Sequence, residues 1–97
     1  MSRAFVNEDD AAPEPRHRFP LPAPDDPAFP EAAARALLQG ANEGDSGTAE
    51  AATGYLFGDP RLVSVVRQIL KSAREGRNDR LEQLAERFIR RAGEEPD

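Results

Sequence analysis

The chain repeats itself once, and this internal repeat restricts the folds it can adopt more than any other feature. One copy opens at Asp26-Pro27 and the other at Asp59-Pro60, and from Arg35 onward matching residues lie 32 positions apart, as Arg35 and Arg67 do. A period of this size is typical of helix-pair units that bury their apolar faces against neighbouring units. The repeat therefore predicts a scaffold of paired helices and favours binding over catalysis.

Composition excludes several classes of protein. The 97 residues allow a single domain, and they include no cysteine and one histidine. Disulfides, thiolate zinc sites and thiol nucleophiles are therefore excluded. No apolar run is long enough to cross a bilayer, and the segment MSRAFVNEDD lacks the apolar core of a signal peptide. We expect a cytoplasmic protein without a membrane partner.

Residues 1–25 are expected to form a disordered arm in front of the folded domain. Five of them are proline, which lacks a backbone donor, and the acids at 8–10 add charge repulsion. The Pro-rich run 19–24 favours polyproline II, which serves either as a stiff spacer or as a segment that a partner grips. The arm also holds three apolar candidate anchors for a partner or for the chain's own helices: Phe5, Phe19 and Leu21.

The second unit, residues 59–93, has the clearest helix signals. Asp59 suits an N-cap and Gly76 suits a left-handed helix end. Asp79 followed by Glu82 has the pattern of a capping box at the start of the next helix. Each predicted helix carries an apolar stripe at helical spacing: Leu62, Val65, Val66, Ile69, Leu70 and Ala73 on the first, and Leu81, Leu84, Ala85, Phe88, Ile89 and Ala92 on the second. The short turn between them predicts an antiparallel hairpin.

The first unit, residues 26–58, repeats this design with weaker signals. We predict one helix over about 27–41 and a shorter one over about 48–57, separated by a glycine-rich turn. The predicted fold is all-α, with four helices in two antiparallel hairpins over 26–93 and an acidic tail at 94–97. Because the first unit is rich in alanine, it is expected to leave apolar surface of the second unit uncovered, which favours a homodimer.

Two bulky aromatic residues, Tyr55 and Phe57, lie just before Gly58 at the end of the first unit. In one interpretation they cover the end of the hydrophobic core, as large apolar side chains usually do. In the other interpretation they stand exposed as anchors for a partner. Tyr55 and Phe57 therefore join the candidate partner-binding residues.

A basic face is predicted on the second hairpin. Residues 61–91 carry nine basic and four acidic side chains, while residues 1–58 carry four basic and ten acidic ones. The face consists of Arg67, Lys71 and Arg74 on one helix and Arg80, Arg87 and Arg91 on the next. It can bind nucleic acid, be neutralised by Glu82 and Glu86 across the hairpin, or hold the acidic arm. The net charge of −5 favours neutralisation.

No set of residues has the spacing of a catalytic or metal-binding motif. Glu43, Asp45 and Glu50 are close in sequence, but their spacing does not fit an EF-hand calcium loop, and solvated turn acids are the simpler interpretation. The chain also lacks a glycine-rich phosphate-binding loop. We predict no catalytic residue, no cofactor and no metal, and a protein that is not an enzyme.

Two segments resemble known families. The segment from Ala34 to Asp45, followed by a second helix, is similar to helix-pair repeats of the tetratricopeptide type. Residues 2–31, with the acids at 8–10 and a Pro-rich stretch leading to Phe29-Pro30-Glu31, resemble the N-terminal region of GreA/GreB-type transcription elongation regulators. Members of that family bind RNA polymerase, so the resemblance implies a partner in transcription.

The leading functional prediction is a non-catalytic protein–protein interaction module, a small helical adaptor or regulator. It follows from the helix-repeat body, the Pro-rich acidic arm with its isolated aromatic residues, and the lack of a catalytic motif. The alternative is a transcription accessory or nucleic-acid-associated protein that uses the basic face of the second hairpin.

Overall fold

The chain folds into helices alone across the part that the structure describes. The structure is a computed structural model that describes residues 19–96, and this part contains no β-strand. It forms four α-helices: α1 (Phe29–Asn42), α2 (Ser46–Thr53), α3 (Val63–Glu75) and α4 (Asp79–Arg91). Consecutive helices pack as two antiparallel hairpins, α1 with α2 and α3 with α4, and α1 also packs against α3 and α4. The all-α prediction with two hairpins is confirmed.

The second hairpin begins at a capped turn. Asp59 accepts a hydrogen bond from the backbone N–H of Arg61 at 2.9 Å, and the 3₁₀ turn Pro60–Leu62 then leads into α3. The prediction of Asp59 as an N-cap is confirmed. At α4 the cap is Asn78, whose side chain accepts from the backbone N–H three residues later at 3.1 Å. The capping box predicted from Asp79 is wrong by one residue, because Asn78 is an equally good cap and leaves Asp79 in the first turn.

The chain reverses direction between α3 and α4 one residue later than predicted. Gly76 has a φ of −87°, and its N–H still donates to the carbonyl of Ser72 at 2.9 Å. Arg77 takes the left-handed conformation instead, with a φ of 56°. The N–H of Asn78 then donates to the carbonyl of Ala73 at 2.8 Å, the long bond of a Schellman motif. The prediction for Gly76 was wrong because the helix keeps one more backbone hydrogen bond before the chain reverses.

The first hairpin has a shorter second helix than predicted. Gly54 ends α2 in the left-handed conformation, with a φ of 79°, so residues 55–57 lie in a loop. α1 and α2 are in tight contact at Gly40. A Cβ atom there would lie 2.7 Å from the Cβ of Ala49 and 3.1 Å from the carbonyl oxygen of Asp45. Glycine is needed at this crossing because any side chain would push the two helices apart.

One core joins the two hairpins. Its largest fully buried side chains come from both hairpins and from the segment before α1: Phe19, Phe88, Leu37, Leu38, Leu62, Ile89 and Val66. Among residues 19–96, Leu56 is the one large hydrophobic side chain that is exposed. Because α1 packs against both α3 and α4, most of the apolar surface of the second unit is covered, and Val65 and Leu81 remain half-buried. The homodimer itself stays a prediction.

Both ends of the described chain pack on the helices. Phe19 is 1% exposed and Leu21 packs against the core, so the folded part includes residues before the predicted boundary at 26. Residues 1–18, the rest of the predicted arm, lie outside the described residues. At the other end, Glu94 accepts a hydrogen bond from Arg67 at 3.2 Å and Pro96 is buried. The predicted tail is therefore folded back on α3 as far as Pro96.

Candidate functional site

A cleft between α1 and α4 is the strongest candidate for a binding site. Its volume is about 440 Å³. Its lining consists of three leucines, two arginines and three amide side chains: Leu38, Leu81, Leu84, Arg35, Arg80, Gln39, Asn42 and Asn78. The leucines are buried or half-buried and form its base, whereas the arginines and amides are exposed at its edges. We call this feature the α1–α4 cleft.

Helical periodicity explains which side chains line the cleft. Leu38 and Asn42 lie one turn apart on α1, and Leu81 and Leu84 lie one turn apart on α4. The two rows are brought together where Arg80 Nε donates a hydrogen bond to Asn42 Oδ1 at 2.6 Å. The C-terminal part of α1 therefore lies beside the N-terminal part of α4, and the leucines of both helices meet between them.

The edges of the α1–α4 cleft carry two arginines, Arg35 and Arg80, and two carboxylates contact its lining from outside: Glu31 through Arg35 and Glu43 through Gln39. Arg35 Nε donates to Glu31 Oε2 at 3.0 Å, but the two side chains are 51% and 60% exposed. Water screens such a pair, which adds little stability and leaves the guanidinium free to change partner. Arg80 bonds a neutral amide, so its charge is not balanced by that contact. A guanidinium has five N–H donors, and both arginines can therefore donate to a ligand in the cleft.

The structure divides the predicted basic face into two surfaces. The first is the α3 basic stripe, made of Arg67, Lys71 and Arg74. Arg74 donates to Glu82 at 3.3 Å and to Glu86 at 3.1 Å, and Arg67 donates to Glu94 at 3.2 Å. The hydrogen bond to Glu86 raises the pKa of Arg74, with a smaller contribution from Glu82. Neutralisation across the hairpin, one of the three interpretations of the basic face, is confirmed for Arg74.

The second surface is the α4 basic flank, made of Arg80, Arg87 and Arg91. These residues share one side of α4, since their spacing of seven and four residues returns to nearly the same direction. Within residues 19–96, none of the three forms a salt bridge with a carboxylate. Arg91 packs over Gly58, where an added Cβ would overlap its side chain. The charges of the α4 basic flank are therefore not neutralised by carboxylates of residues 19–96, whereas those of Arg67 and Arg74 in the α3 basic stripe are.

The predicted aromatic anchors Tyr55 and Phe57 cover the end of the core. The ring centroids of Tyr55 and Phe29 are 6.3 Å apart, and the Arg61 guanidinium lies 4.7 Å from the ring centroid of Tyr55. The ring of Phe57 meets that of Phe88 edge to face at 5.0 Å. Both aromatic residues are half-buried. Covering the core is thus the interpretation that their contacts support.

The predicted arm anchors have different positions. Phe19 is buried in the chain's own core, so its assignment as an exposed anchor for a partner was wrong, because the core excludes it from the surface. Leu21 is half-buried and packs against the same core. Docking on the chain's own helices, the other interpretation of these anchors, fits both residues. Phe5 lies outside the described residues.

Asp59 and Arg61 form a structural corner beside Tyr55. Arg61 donates to both carboxylate oxygens of Asp59, at 3.1 Å from Nε and 2.8 Å from Nη2. This side-chain hydrogen bonding, opposed in part by burial and supported by the backbone N–H of Arg61, lowers the pKa of Asp59 to about 2. The carboxylate is therefore ionised at neutral pH and holds the turn that starts α3.

The acids of the first hairpin are used in local contacts. Glu50 accepts a hydrogen bond from the backbone N–H of Phe57 at 2.9 Å, and Asp45 accepts from the hydroxyl of Thr48 at 2.7 Å. Across residues 19–96, no three histidine, cysteine or acidic side chains are grouped so that they could hold a metal ion. None of the helices in this range has the length and apolar character needed to cross a membrane.

No family model, curated protein or solved structure matches the chain. The function is therefore inferred from the α1–α4 cleft itself. Sequence patterns missed this cleft, because Leu38, Leu81 and Leu84 all have the spacing of core residues. The one local signal of a binding surface was the position of Arg80 and Arg87 beside the apolar stripe of α4. That position does not show which other helix lies next to α4.

Proposed function

We propose that this chain is a non-catalytic protein–protein interaction module that binds another protein through the α1–α4 cleft. The observation that supports the proposal is the composition of the cleft: leucines at its base, with exposed arginine and amide side chains at its edges. Protein interfaces have an apolar core and a polar rim, and arginine is enriched in them relative to the rest of the surface. A small helical adaptor or regulator, present in the cytoplasm, is the role that fits such a surface.

Several features of the fold suit an adaptor. The α1–α4 cleft lies between helices of different hairpins, so the whole core holds its two walls in place. A wall that is already ordered loses little conformational entropy when a partner binds. The half-buried Leu81 is the apolar side chain of the cleft with the most surface to lose on binding.

The proposal is tested by affinity capture from native cytosol with the full chain as bait. The site variant is Leu81→Ser, and the matched control is Leu56→Ser, which removes an exposed leucine elsewhere. We expect specific protein partners that are retained by the control and lost with Leu81→Ser, both baits being checked for helicity by circular dichroism. Partners that bind all three baits equally would exclude the cleft as the binding surface.

A second candidate function is supported by the α4 basic flank, whose three arginines have no carboxylate partner within residues 19–96. A transcription accessory or nucleic-acid-associated protein could use these arginines on phosphates. Nuclease treatment of the same captures separates the two candidates. Partners that disappear after nuclease treatment, together with direct binding of the pure chain to RNA or DNA that weakens with salt, would favour this second function.

A further inference from the structure

We propose that the occupant of the α1–α4 cleft is an acidic amphipathic helix of another protein, a proposal that rests on the binding function proposed above. Its apolar face would pack on the half-buried Leu81, with the buried Leu38 and Leu84 beneath, and its carboxylates would meet Arg35 and Arg80 on opposite walls of the cleft. Three features of the cleft support this choice: the shape of its base, the sign of its charge and the spacing of its arginines.

The base of the cleft suits a helix. It lies between two α-helices and is lined by leucines one turn apart on α4 and by Leu38 on α1. Apolar residues at i, i+4 and i+7 of a ligand helix fit such a groove, as in other helix-in-groove complexes. The described residues contain no β-strand, so an extended peptide has no sheet edge to join there.

The charge of the cleft selects acidic ligands. Arg35 and Arg80 stand on opposite walls, and no acidic side chain is among the lining residues. The three amides at the edges are neutral and already hydrogen-bonded within the chain: Gln39 donates to Glu43, Asn42 accepts from Arg80, and Asn78 accepts from the backbone N–H of Leu81. A basic helix would bring like charges together in a partly desolvated site, and such contacts disfavour binding.

The spacing of the arginines sets a preferred pattern. Arg80 and Arg87 lie seven residues apart on the same side of α4, and this is a rise of about 10.5 Å. Arg87 lies outside the cleft lining, and a ligand helix that extends beyond the cleft alongside α4 meets both arginines with carboxylates that are also seven residues apart. Arg35 can then donate to a third carboxylate from the opposite wall. The α3 basic stripe differs in that Arg74 bridges two carboxylates, Glu82 and Glu86, whereas Arg35 has the single exposed partner Glu31.

Nucleic acid fits the cleft less well than an acidic helix. Single-stranded nucleic acid binds through aromatic side chains that stack on bases, and the lining of the cleft contains no aromatic residue. The leucines of the base would remain unused by a phosphate backbone. A ligand that has both apolar and acidic groups uses the whole surface.

The experiment measures fluorescence anisotropy of three synthetic helical peptides titrated with the full chain. All share leucines at i, i+4 and i+7, and they carry Glu, Gln or Lys at two flanking positions seven residues apart. We expect the Glu peptide to bind about tenfold more tightly than the Gln peptide at about 50 mM salt and the Lys peptide to bind least. The preference for Glu should shrink as salt rises to about 500 mM, because screening weakens the charge contacts.

Variants locate the binding. Arg80→Glu and Arg87→Glu should each remove the preference for Glu over Gln, and Leu81→Ser should weaken all three peptides. The matched control is Arg90→Glu, which makes the same charge change at an exposed position of α4 that does not share the side of Arg80 and Arg87. It should leave the preference for Glu nearly unchanged. Circular dichroism of each variant shows whether a loss of binding reflects the cleft or a loss of fold.

Each other outcome decides against the acidic helix in a different way. Equal binding of the Glu and Gln peptides, still lost with Leu81→Ser, would reject the acidic ligand while keeping the cleft as a protein-binding surface. No binding of the Glu peptide at about 1 mM would reject the inference outright, and the capture experiment would still judge the proposed function. Tighter, Arg80-dependent binding of a peptide copying residues 1–18, or of an oligonucleotide, would assign the cleft to that ligand instead.

Discussion

In the first hairpin the two helices meet through small residues, whereas in the second they meet through large apolar side chains and a double salt bridge. Gly40 lies so close to Ala49 that an added Cβ would come within 2.7 Å of its methyl group. Across the second hairpin, Arg74 reaches both Glu82 and Glu86, at 3.3 and 3.1 Å. The two helices of each repeat copy are thus held together by different kinds of contact.

This difference implies opposite sensitivities to substitution. A contact made by glycine has no room for an added atom, so the first hairpin should be damaged by enlargement. A contact made by large side chains leaves a cavity when one is truncated, so the second hairpin should be damaged by deletion. An exposed salt bridge contributes little in either case. Four predictions test this contrast.

The largest effect is expected for Phe88→Ala in α4. Phe88 is fully buried and its ring packs edge to face on Phe57 at 5.0 Å. Its truncation should lower the free energy of unfolding by about 3–5 kcal/mol, which urea denaturation followed by circular dichroism can measure. The control Arg87→Ala removes the exposed neighbouring side chain and should change stability little. A loss below about 1 kcal/mol for Phe88→Ala would contradict the claim that large side chains close this hairpin.

The next effect is expected for Gly40→Ala in α1. Alanine is favoured over glycine in a helix by about 1 kcal/mol, yet here the overlap with Ala49 should outweigh that gain. We expect a net loss of about 1–3 kcal/mol in the free energy of unfolding. In the second hairpin, Gly76→Ala is the matched substitution. Its φ is −87° and the nearest atom to an added Cβ is 3.3 Å away, so little loss is expected.

A second-site change can sharpen the test of the Gly40 crossing. Ala49→Gly removes the methyl group that an alanine at position 40 would meet. In a double-mutant cycle, the pair should lose less stability than the sum of the two single changes. Additive losses would show that the contact with Ala49 does not limit the approach of α1 and α2.

A smaller effect with a defined pH dependence is expected at the junction of the hairpins for Asp59→Asn. Asparagine keeps the cap acceptor but loses the charge that Arg61 contacts. We expect the free energy of unfolding to fall by about 1 kcal/mol at neutral pH. This is less than the lowered pKa of Asp59 alone would imply, because Arg61 is mostly exposed and water screens its contact with the carboxylate.

The pH dependence follows from the lowered pKa of Asp59, about 2 against a usual value of 3.8. The ionised carboxylate stabilises the fold fully above about pH 4, and this contribution is lost as the pH falls towards 2. The difference in unfolding free energy between the wild type and Asp59→Asn should therefore be constant from pH 7 to about 5, fall steeply below about pH 4 and be mostly lost at pH 2. A difference that stays constant to pH 2 would show that the charge of Asp59 adds no stability.

The smallest effect is expected for Arg74→Gln in the second hairpin. The side chain is 38% exposed, so water weakens its contacts with Glu82 and Glu86. We expect a slight fall in melting temperature at low ionic strength and none in about 1 M salt, where the Debye length is about 3 Å. Lys71→Gln is the control on the same face of α3, since Lys71 has no carboxylate partner among residues 19–96. A large fall in melting temperature for Arg74→Gln that does not depend on salt would instead show that this side chain is a main source of the stability of the hairpin.

The helices of the second hairpin were predictable because their signals are local. The apolar stripe through Leu70 and the stripe through Phe88 each repeat within one helix, and Asp59 caps a turn two residues ahead. The errors were also local. Arg77 rather than Gly76 turns the chain, because neighbouring residues compete for one position and a single backbone hydrogen bond decides between them.

The candidate site was not predictable in this way. Arg80 and Asn42, which join the walls of the α1–α4 cleft, are 38 residues apart in the sequence. Leu81 and Leu38 have the spacing of ordinary core residues, and nothing in that spacing shows that a cleft lies between their two helices. The position of that cleft depends on how the whole core fills, including the burial of Phe19.

The sequence by itself determined the helices, their order and the faces that they bury, since periodicity and capping act over one or two turns. Only the tertiary structure decided which charges remain available. Arg74 and Arg80 look alike in the sequence, yet one faces two carboxylates and the other faces an amide beside the cleft. The physical reason is that the partner of a charged side chain is set by the packing of helices that lie far apart in the sequence.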